Sequence, residues 1–385
     1  MTTTVLDQIS GKRMAATVAA LAGDAFAGRR VGSNGGAAAR NWLAERLAAA
    51  GATVSFTTFP VAAVPEVYER PTLVWSGRQL VFGREFAVHL TSADQPQMRR
   101  GGLVVAGRGD PAGRWVVVPP GTPVPDSQGA LGHLVARNVD ADGWQYTMLA
   151  GPAAGALPVL ALDTEAHSAM LGATEGWVAG NAPVRRIDVT GTNVHARWPD
   201  SAAILLTAHY DGVGDLPGLR QPAAADNASG VAVVLEAARV LAGVLPVEVA
   251  LLDGEEVGAL GSAHHAPHTD RPVINVDGAG HLNEAVAVEA GGPAHRLLAA
   301  LDQAGRHVGV PLVAGPVASD NRRYAAAGLA AVGVGAGMAG YHSPADTPDR
   351  VDPDTLVAVA RLVVATVLLA GGRDASLSSL IGDRR

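Results

Sequence analysis

Three stretches of the chain share one pattern: ILLTAHYD at residues 204–211, VALLDGEE at 249–256 and VINVDG at 273–278. In each stretch an apolar run is followed at once by histidine or carboxylate residues. The runs are mostly apolar and do not alternate with polar residues, which is typical of strands buried on both faces of a parallel sheet. Because ligand sites in open α/β sheets form beyond the carboxyl ends of strands, we expect the polar residues that end these stretches to lie close together.

The sequence around these stretches alternates between strand and helix patterns. From residue 193 onward, strands are predicted at 203–208, 247–253, 273–277, 285–290 and 331–334. Helices are predicted at 230–241, 258–265, 293–308, 322–327 and 353–369. This alternation predicts an α/β fold with a mixed, largely parallel sheet flanked by helices.

The rest of the chain divides into two segments. The first has a helical pattern at 40–50 and an alternating strand pattern at 53–60, and its apolar helix needs a partner to pack against. The second has short apolar runs between Gly, Pro, Asp and Ser, which predicts a smaller β-rich domain. We therefore predict a discontinuous main domain that consists of residues 1–64 and 190–372. A β-rich domain is inserted at 65–189, and a polar tail follows at 373–385.

Composition limits the chemistry of the chain. Its 385 residues include no cysteine, which excludes disulfides and thiolate metal sites. The net charge of −7 and the scattered arginines argue against nucleic-acid binding. No signal-peptide pattern opens the sequence and no run of 18 uncharged apolar residues occurs in it, so we expect a cytoplasmic protein without a membrane span.

Two histidines and four carboxylates stand at strand ends or in the loops 221–230 and 335–347: His209, Asp226, Glu255, Glu256, Asp277 and His342. Imidazole and carboxylate ligands suit zinc, although they do not separate zinc from cobalt or manganese. Two metal ions that share one bridging carboxylate need two further ligands each, so five of these residues suffice. The spare carboxylate, Glu255 or Glu256, then remains free to act as a general base.

The order of these motifs resembles the co-catalytic two-zinc aminopeptidase family, which contains bacterial leucyl-type aminopeptidases and relatives of glutamate carboxypeptidase. The motifs are HYD at 209–211, ADNASG at 225–230, GEE at 254–256, GALGS at 258–262, INVDG at 274–278 and YHSPADT at 341–347. The stretch at 23–52 is similar to the opening of that family. The middle segment weakly resembles the protease-associated domain that many relatives insert.

This resemblance implies how the ligands divide between two zinc ions. His209 and Asp277 would bind one ion, and Glu256 and His342 the other. Asp226 would bridge the two ions. The implied fold is that of a zinc aminopeptidase with an inserted protease-associated-like domain.

The resemblance also implies catalytic roles. Glu255 would be the general base and acid, and Tyr341 would stabilise the oxyanion of the tetrahedral intermediate. Asp211 would orient His209, since metal-bound imidazoles generally need such a partner. The implied reaction releases N-terminal residues from peptides or small amides.

Three alternatives stay open at this point. The first is a glutaminyl-cyclase-type aminoacyl transferase that uses one zinc ion, the second is a non-catalytic receptor-like relative, and the third is a carboxypeptidase-type specificity. Substrate preference is also open, because the family often has histidine and an aromatic residue after Ser-Asp, whereas Asp320 is followed here by Asn321, Arg322 and Arg323. Either arginine would attract a carboxylate or remain solvated.

The densest group of histidines is His264, His265 and His268. They follow the GALGS motif without an accompanying set of carboxylates. We expect them on the solvent side of the predicted helix and outside any metal site.

Overall fold

The computed structural model describes residues 4–173, 175–199 and 202–371. The predicted polar tail at 373–385 lies outside the described residues. In chain order the strands are β1 (Thr53–Val67), β2 (Leu73–Trp75), β3 (Arg78–Gln79), β4 (Phe86–Val88), β5 (Gln95–Val105), β6 (Arg114–Val118), β7 (Gly132–Ala136), β8 (Val159–Leu162), β9 (Trp177–Ala182), β10 (Val184–Arg197), β11 (Leu205–His209), β12 (Glu248–Leu252), β13 (Val273–Val276), β14 (Val286–Gly291), β15 (Leu312–Ala314) and β16 (Ala331–Gly335).

The helices follow the sequence predictions closely from residue 193 onward. They are α1 (Gly11–Leu21), α2 (Asn34–Ala49), α3 (Thr164–Gly172), α4 (Ser229–Leu241), α5 (Leu260–His265), α6 (His295–Val308), α7 (Asn321–Ala326) and α8 (Pro353–Ala370).

The first sheet has the order β1-β10-β12-β11-β13-β16-β14-β15. Its four central strands, β12, β11, β13 and β16, are parallel to one another. The flanking strands β10 and β14 are antiparallel to this group. Side chains of the central strands are almost all buried because helices cover the sheet, which explains their mostly apolar sequences. The predicted mixed, largely parallel α/β fold is therefore observed.

The second sheet contains β2 to β9, in the order β3-β2-β9-β5-β6-β7-β8-β4. All of its strands fall inside the predicted insertion. The sequence does not predict α3, which packs on this sheet and begins where the Asp163 side chain accepts a hydrogen bond from Ala166 N. The long antiparallel pair β1–β10 crosses the predicted boundaries near 65 and 189, so those boundaries stay a prediction.

The last helix, α8, begins as its sequence predicts. Asp352 caps it by accepting hydrogen bonds from the backbone of Asp354 and Thr355, and Pro353 occupies the first turn. By length and composition α8 would also suit a membrane span, but most of it is buried inside the protein. It packs against α4 and α6, and this packing is that of a core helix.

The histidine-rich stretch is partly buried, contrary to our expectation. His265 is only 5% exposed, and its Nδ1 lies 2.8 Å from the Tyr324 hydroxyl. Its ring lies 4.6 Å from that of His195, which contacts Thr57 Oγ1. The prediction of a solvent-facing position is wrong for His265, because α5 turns this face toward β10 and α7.

This buried histidine pair predicts lower stability in acid. Burial lowers the pKa of His195 to about 4 and that of His265 to about 3, from an ordinary value of 6.5. Below pH 6.5 the unfolded chain therefore binds more protons, and stability falls as the pH drops toward 4. Between pH 7.5 and pH 5 the unfolding free energy of both proteins is compared. We expect the native chain to lose about 2–4 kcal/mol more than the His195→Gln/His265→Gln variant. Urea denaturation at both pH values measures this difference, and an equal loss in both proteins would contradict it.

Candidate metal centre

The predicted ligands meet at the carboxyl ends of the central strands. His209 is the last residue of β11 and Asp277 directly follows β13. Glu256 lies in the turn after β12, and His342 lies in the loop after β16. Each of these side chains is at most 7% exposed. The parallel register of the four strands thus brings together residues that are far apart in sequence.

Asp226 lies between two groups of potential ligands. Its Oδ1 is 3.3 Å from His209 Nε2, which is also 3.3 Å from Asp277 Oδ1. Its Oδ2 is 3.1 Å from His342 Nε2, which is 2.8 Å from Glu256 Oε2. Within each group the ligand atoms lie within 4.8 Å of one another. One carboxylate therefore faces both groups, with a different oxygen toward each.

Asp211 connects His209 to the turn after β12. Its Oδ1 lies 3.5 Å from His209 Nδ1, on the side of the ring away from Asp226. The same carboxylate accepts hydrogen bonds from the backbone N–H groups of Glu255 (3.1 Å) and Glu256 (3.3 Å). Asp211 thus lies between the histidine and the turn that carries both glutamates, within contact distance of each.

A cavity of about 350 Å³ opens onto this centre, and Glu255 and Tyr341 both line it. Burial raises the pKa of Glu255 well above its ordinary value. The Tyr341 ring stacks on that of His342 at 3.7 Å and is 39% exposed. Burial also raises the pKa of Tyr341 above its ordinary value, so its hydroxyl remains a donor. The carboxyl group of Glu255 and the hydroxyl group of Tyr341 therefore line the same cavity.

Two residues without an assigned role hold the loop that carries Asp226. The carboxylate of Asp346 accepts hydrogen bonds from the backbone N–H groups of Ala225 (2.6 Å) and Asp226 (3.0 Å). Asn227 donates to Val276 O (2.9 Å), and its Oδ1 accepts from the backbone N–H of Gly230 and of Gly278. Both residues belong to the motifs quoted above, but only the long-range hydrogen bonds reveal what they do.

Replacing Asn227 by alanine is expected to destabilise the fold. The change leaves three buried backbone groups without partners, and each costs about 1–3 kcal/mol. We expect the free energy of unfolding to fall by roughly 2–4 kcal/mol. Urea denaturation measures the loss, and an Asn41→Ala variant on the surface of α2 is the control. A loss no greater than that of the control would contradict this role.

Arg29 is a third residue that sequence reasoning missed. It is fully buried and donates hydrogen bonds to the backbone carbonyls of Leu21, Tyr210, Pro222 and Ala223. It thereby links the first segment to the loops that present His209 and Asp226. Its place in the resembling stretch at 23–52 is the only signal in the sequence.

The two arginines that follow Asp320, where the sequence departs from the family pattern, both contact other parts of the protein. Arg322 Nε donates to Glu289 Oε1 at 2.8 Å, and Arg323 donates to Gly258 O at 2.6 Å. Both arginines therefore have partners in the protein. Asp320 is fully buried beside the centre, and burial raises its pKa to about 7.

The donor set and its charge fit bound cations. Buried carboxylates surround the centre, and a buried negative charge is costly unless a cation balances it. The nearby Arg29 donates its hydrogen bonds to backbone carbonyls and not to these carboxylates. Within the part of the chain that the structure describes, Glu256 Oε1 is buried without a hydrogen-bond partner. Imidazole and carboxylate groups at these spacings are a ligand set that zinc accepts.

Comparison with known proteins gives one family match by sequence. Residues 193–367 match the family described as Peptidase family M28. No curated protein matches the chain by sequence.

Solved structures show the same fold. A zinc aminopeptidase from Bacillus subtilis is 21% identical, with 93% of this chain and 94% of that chain covered and a TM-score of 0.73. An aminopeptidase from Aneurinibacillus sp. strain AM-1 is 20% identical, with 95% of each chain covered and a TM-score of 0.70. A glutaminyl cyclase from Porphyromonas gingivalis is 15% identical, with 94% of this chain and 98% of that chain covered and a TM-score of 0.51.

These structural likenesses establish the fold of the chain. The sequence match covers every candidate ligand, and its family is the peptidase family that the motifs resemble. Residues 193–367 are therefore similar in sequence to peptidase family M28, and the whole chain has the fold of the zinc aminopeptidase structures.

Proposed function

We propose that the protein is a two-zinc aminopeptidase. The observation that carries this proposal is the position of Asp226, whose two oxygens face two separate ligand groups. A shared carboxylate is what a pair of ions roughly 3.5–4 Å apart requires. His209 and Asp277 would hold one zinc ion, and Glu256 and His342 the other. The similar structures from Bacillus subtilis, a zinc aminopeptidase, and from Aneurinibacillus, an aminopeptidase, support the proposed aminopeptidase activity.

The residues around the ligands suit hydrolysis of an amide. Bound zinc would polarise the scissile carbonyl and make water a nucleophile near neutral pH. Glu255 lines the cavity beside the metal centre. It would take a proton from the attacking water and pass it to the leaving amine. The Tyr341 hydroxyl would donate a hydrogen bond to the oxygen that becomes negatively charged. Asp211 would keep His209 in one orientation through its contact with Nδ1.

The cavity beside Glu255 also indicates the substrate. Val317, Ala318 and Met338 supply its apolar surface, whereas the acidic groups supply its polar end. We propose that an apolar side chain of the N-terminal residue packs against Val317 and Met338. The carboxylates of the centre would attract the free α-amino group of the same residue. This arrangement favours peptides with an unblocked, apolar N-terminus.

A panel of small substrates tests the proposal against its rivals. We expect the zinc-loaded protein to release the amine from leucine p-nitroanilide and to leave its N-acetylated form intact. Cleavage of N-acylated peptides at the C-terminus would instead show a carboxypeptidase specificity. Cyclisation of glutaminyl peptides without anilide hydrolysis would show a glutaminyl-cyclase-type reaction. Inactivity on all substrates despite bound zinc would support a receptor-like relative.

A further inference from the structure

A second and larger cavity, of about 420 Å³, lies between the two sheets. Its walls come from the ends of β1 and β10, from β4, from the loop after β7 and from the loop at 213–217. This volume is in the range of sites for small organic molecules. Val67, Val88, Leu149 and Val213 supply part of an apolar lining.

The charges that line this cavity are unequal. Arg30, Arg137 and Arg185 face only two carboxylates, those of Glu66 and Asp215. Glu66 is shared, because its oxygens lie 2.6 Å from Arg30 and 2.5 Å from Arg185. Asp215 already accepts a hydrogen bond from Gln221 N at 2.8 Å. The positive charge of Arg137 therefore remains unbalanced within the cavity.

Several hydrogen-bond donors of the lining are unused. Among residues 4–173, 175–199 and 202–371, no acceptor contacts the guanidinium of Arg137, and Nη1 of Arg30 is buried without a partner. His89 Nδ1 lies 2.8 Å from Thr91 Oγ1 and 3.2 Å from Thr91 N, so both contacts of Thr91 are with this nitrogen and not with Nε2. Burial lowers the pKa of both Arg137 and His89. A bound anion would relieve the cost of burying Arg137 as a cation.

We propose that this cavity binds a small organic anion with one carboxylate on an apolar or aromatic body. Arg137 would pair with the carboxylate, since a guanidinium matches its planar geometry, and His89 and Arg30 would donate further hydrogen bonds. The apolar body would pack against Val88 and Leu149. A purely polar ion such as phosphate would leave this apolar surface without a partner.

The proposed anion site is next to the metal centre but separate from it. Met148 lines the cavity, and its sulfur lies 3.3 Å from His342 Nδ1. The neighbouring Thr147 donates its backbone N–H to His342 O at 2.9 Å. The inserted segment therefore contributes both a wall of the anion site and a support for His342.

Calorimetric titration with phenylacetate tests the anion site. The zinc-loaded protein is first saturated with leucine hydroxamate, so that carboxylate binding to the metal centre does not contribute. We expect phenylacetate to bind at one site per chain, and phenylacetamide and inorganic phosphate to bind at least about tenfold more weakly. No detectable phenylacetate binding, or equal binding of the amide or of phosphate, would overturn the proposal. This comparison needs no variant.

Two variants place the bound probe within the cavity. Arg137→Met is expected to weaken phenylacetate binding at least about tenfold because it removes the charged partner. Arg114→Met is the matched control, because Arg114 is an exposed arginine of β6 in the second sheet. Its affinity for phenylacetate should lie within about twofold of that of the native protein. Val88→Phe fills the cavity without changing its charge and should also weaken binding. Native affinity in both Arg137→Met and Val88→Phe would show that the probe binds elsewhere.

Discussion

A Glu255→Gln variant is expected to keep its zinc and to lose about 10²–10⁴-fold in the rate of amide hydrolysis. Glutamine preserves the size and the hydrogen-bonding reach of the side chain but cannot accept the proton of the attacking water. The ligand groups around Asp226 do not include Glu255, so metal binding should persist. Steady-state hydrolysis of leucine p-nitroanilide, together with metal analysis of the same samples, measures both effects.

The control for this variant is Glu165→Gln, at an exposed position of α3 far from the metal centre. It should hydrolyse the anilide at the native rate. The base assignment is wrong if Glu255→Gln retains both zinc and near-native activity. Loss of zinc in Glu255→Gln would show instead that Glu255 is a ligand.

An Asp226→Asn variant is expected to have the largest effect on metal binding. Asp226 is the one residue that both ligand groups contain. The amide lacks the negative charge that holds two cations side by side, so both sites weaken at once. Mutation of a residue that only hydrogen-bonds to a metal ligand typically weakens metal affinity about 10–100-fold. Asp226 would contact the metal ions directly, so we expect its loss to weaken zinc binding at least about 100-fold. Activity at limiting zinc should fall with it.

Zinc titration of the metal-stripped variant measures this loss. Asp270→Asn, at an exposed aspartate before β13, is the matched control and should bind zinc like the native protein. Because Asp226 is buried, its variant should also be compared with the native chain by circular dichroism. Native zinc affinity in a folded Asp226→Asn protein would remove Asp226 from the ligand set.

Much of the candidate site follows from the sequence because the site lies at strand ends. His209, Glu256 and Asp277 each end an apolar run, and the parallel pairing of β11, β12 and β13 places such residues at one edge. The helices and strands from residue 193 onward also follow from the sequence, except the three-residue strand β15, which the sequence does not predict. Their hydrophobic patterns are strong because these strands and helices pack together around one sheet.

The supports of the site could not be predicted, because they depend on contacts between distant segments. Arg29 reaches the Tyr210 carbonyl across 181 positions, and Asp346 reaches the backbone of Ala225 across 121. The contact of Met148 with His342 spans 194 positions. Local periodicity carries no information about such pairs. The predicted domain boundaries, the cytoplasmic location and the roles of Glu255 and Tyr341 stay predictions.

The central claim is that Asp226 joins two metal sites, and the number of zinc ions per chain tests it most directly. Metal-stripped native protein should be titrated with zinc by calorimetry, with the bound metal counted by elemental analysis after gel filtration. The structure predicts two zinc ions per chain in the native protein. A single zinc ion per native chain at saturation would contradict the two-metal centre and favour the one-zinc cyclase chemistry.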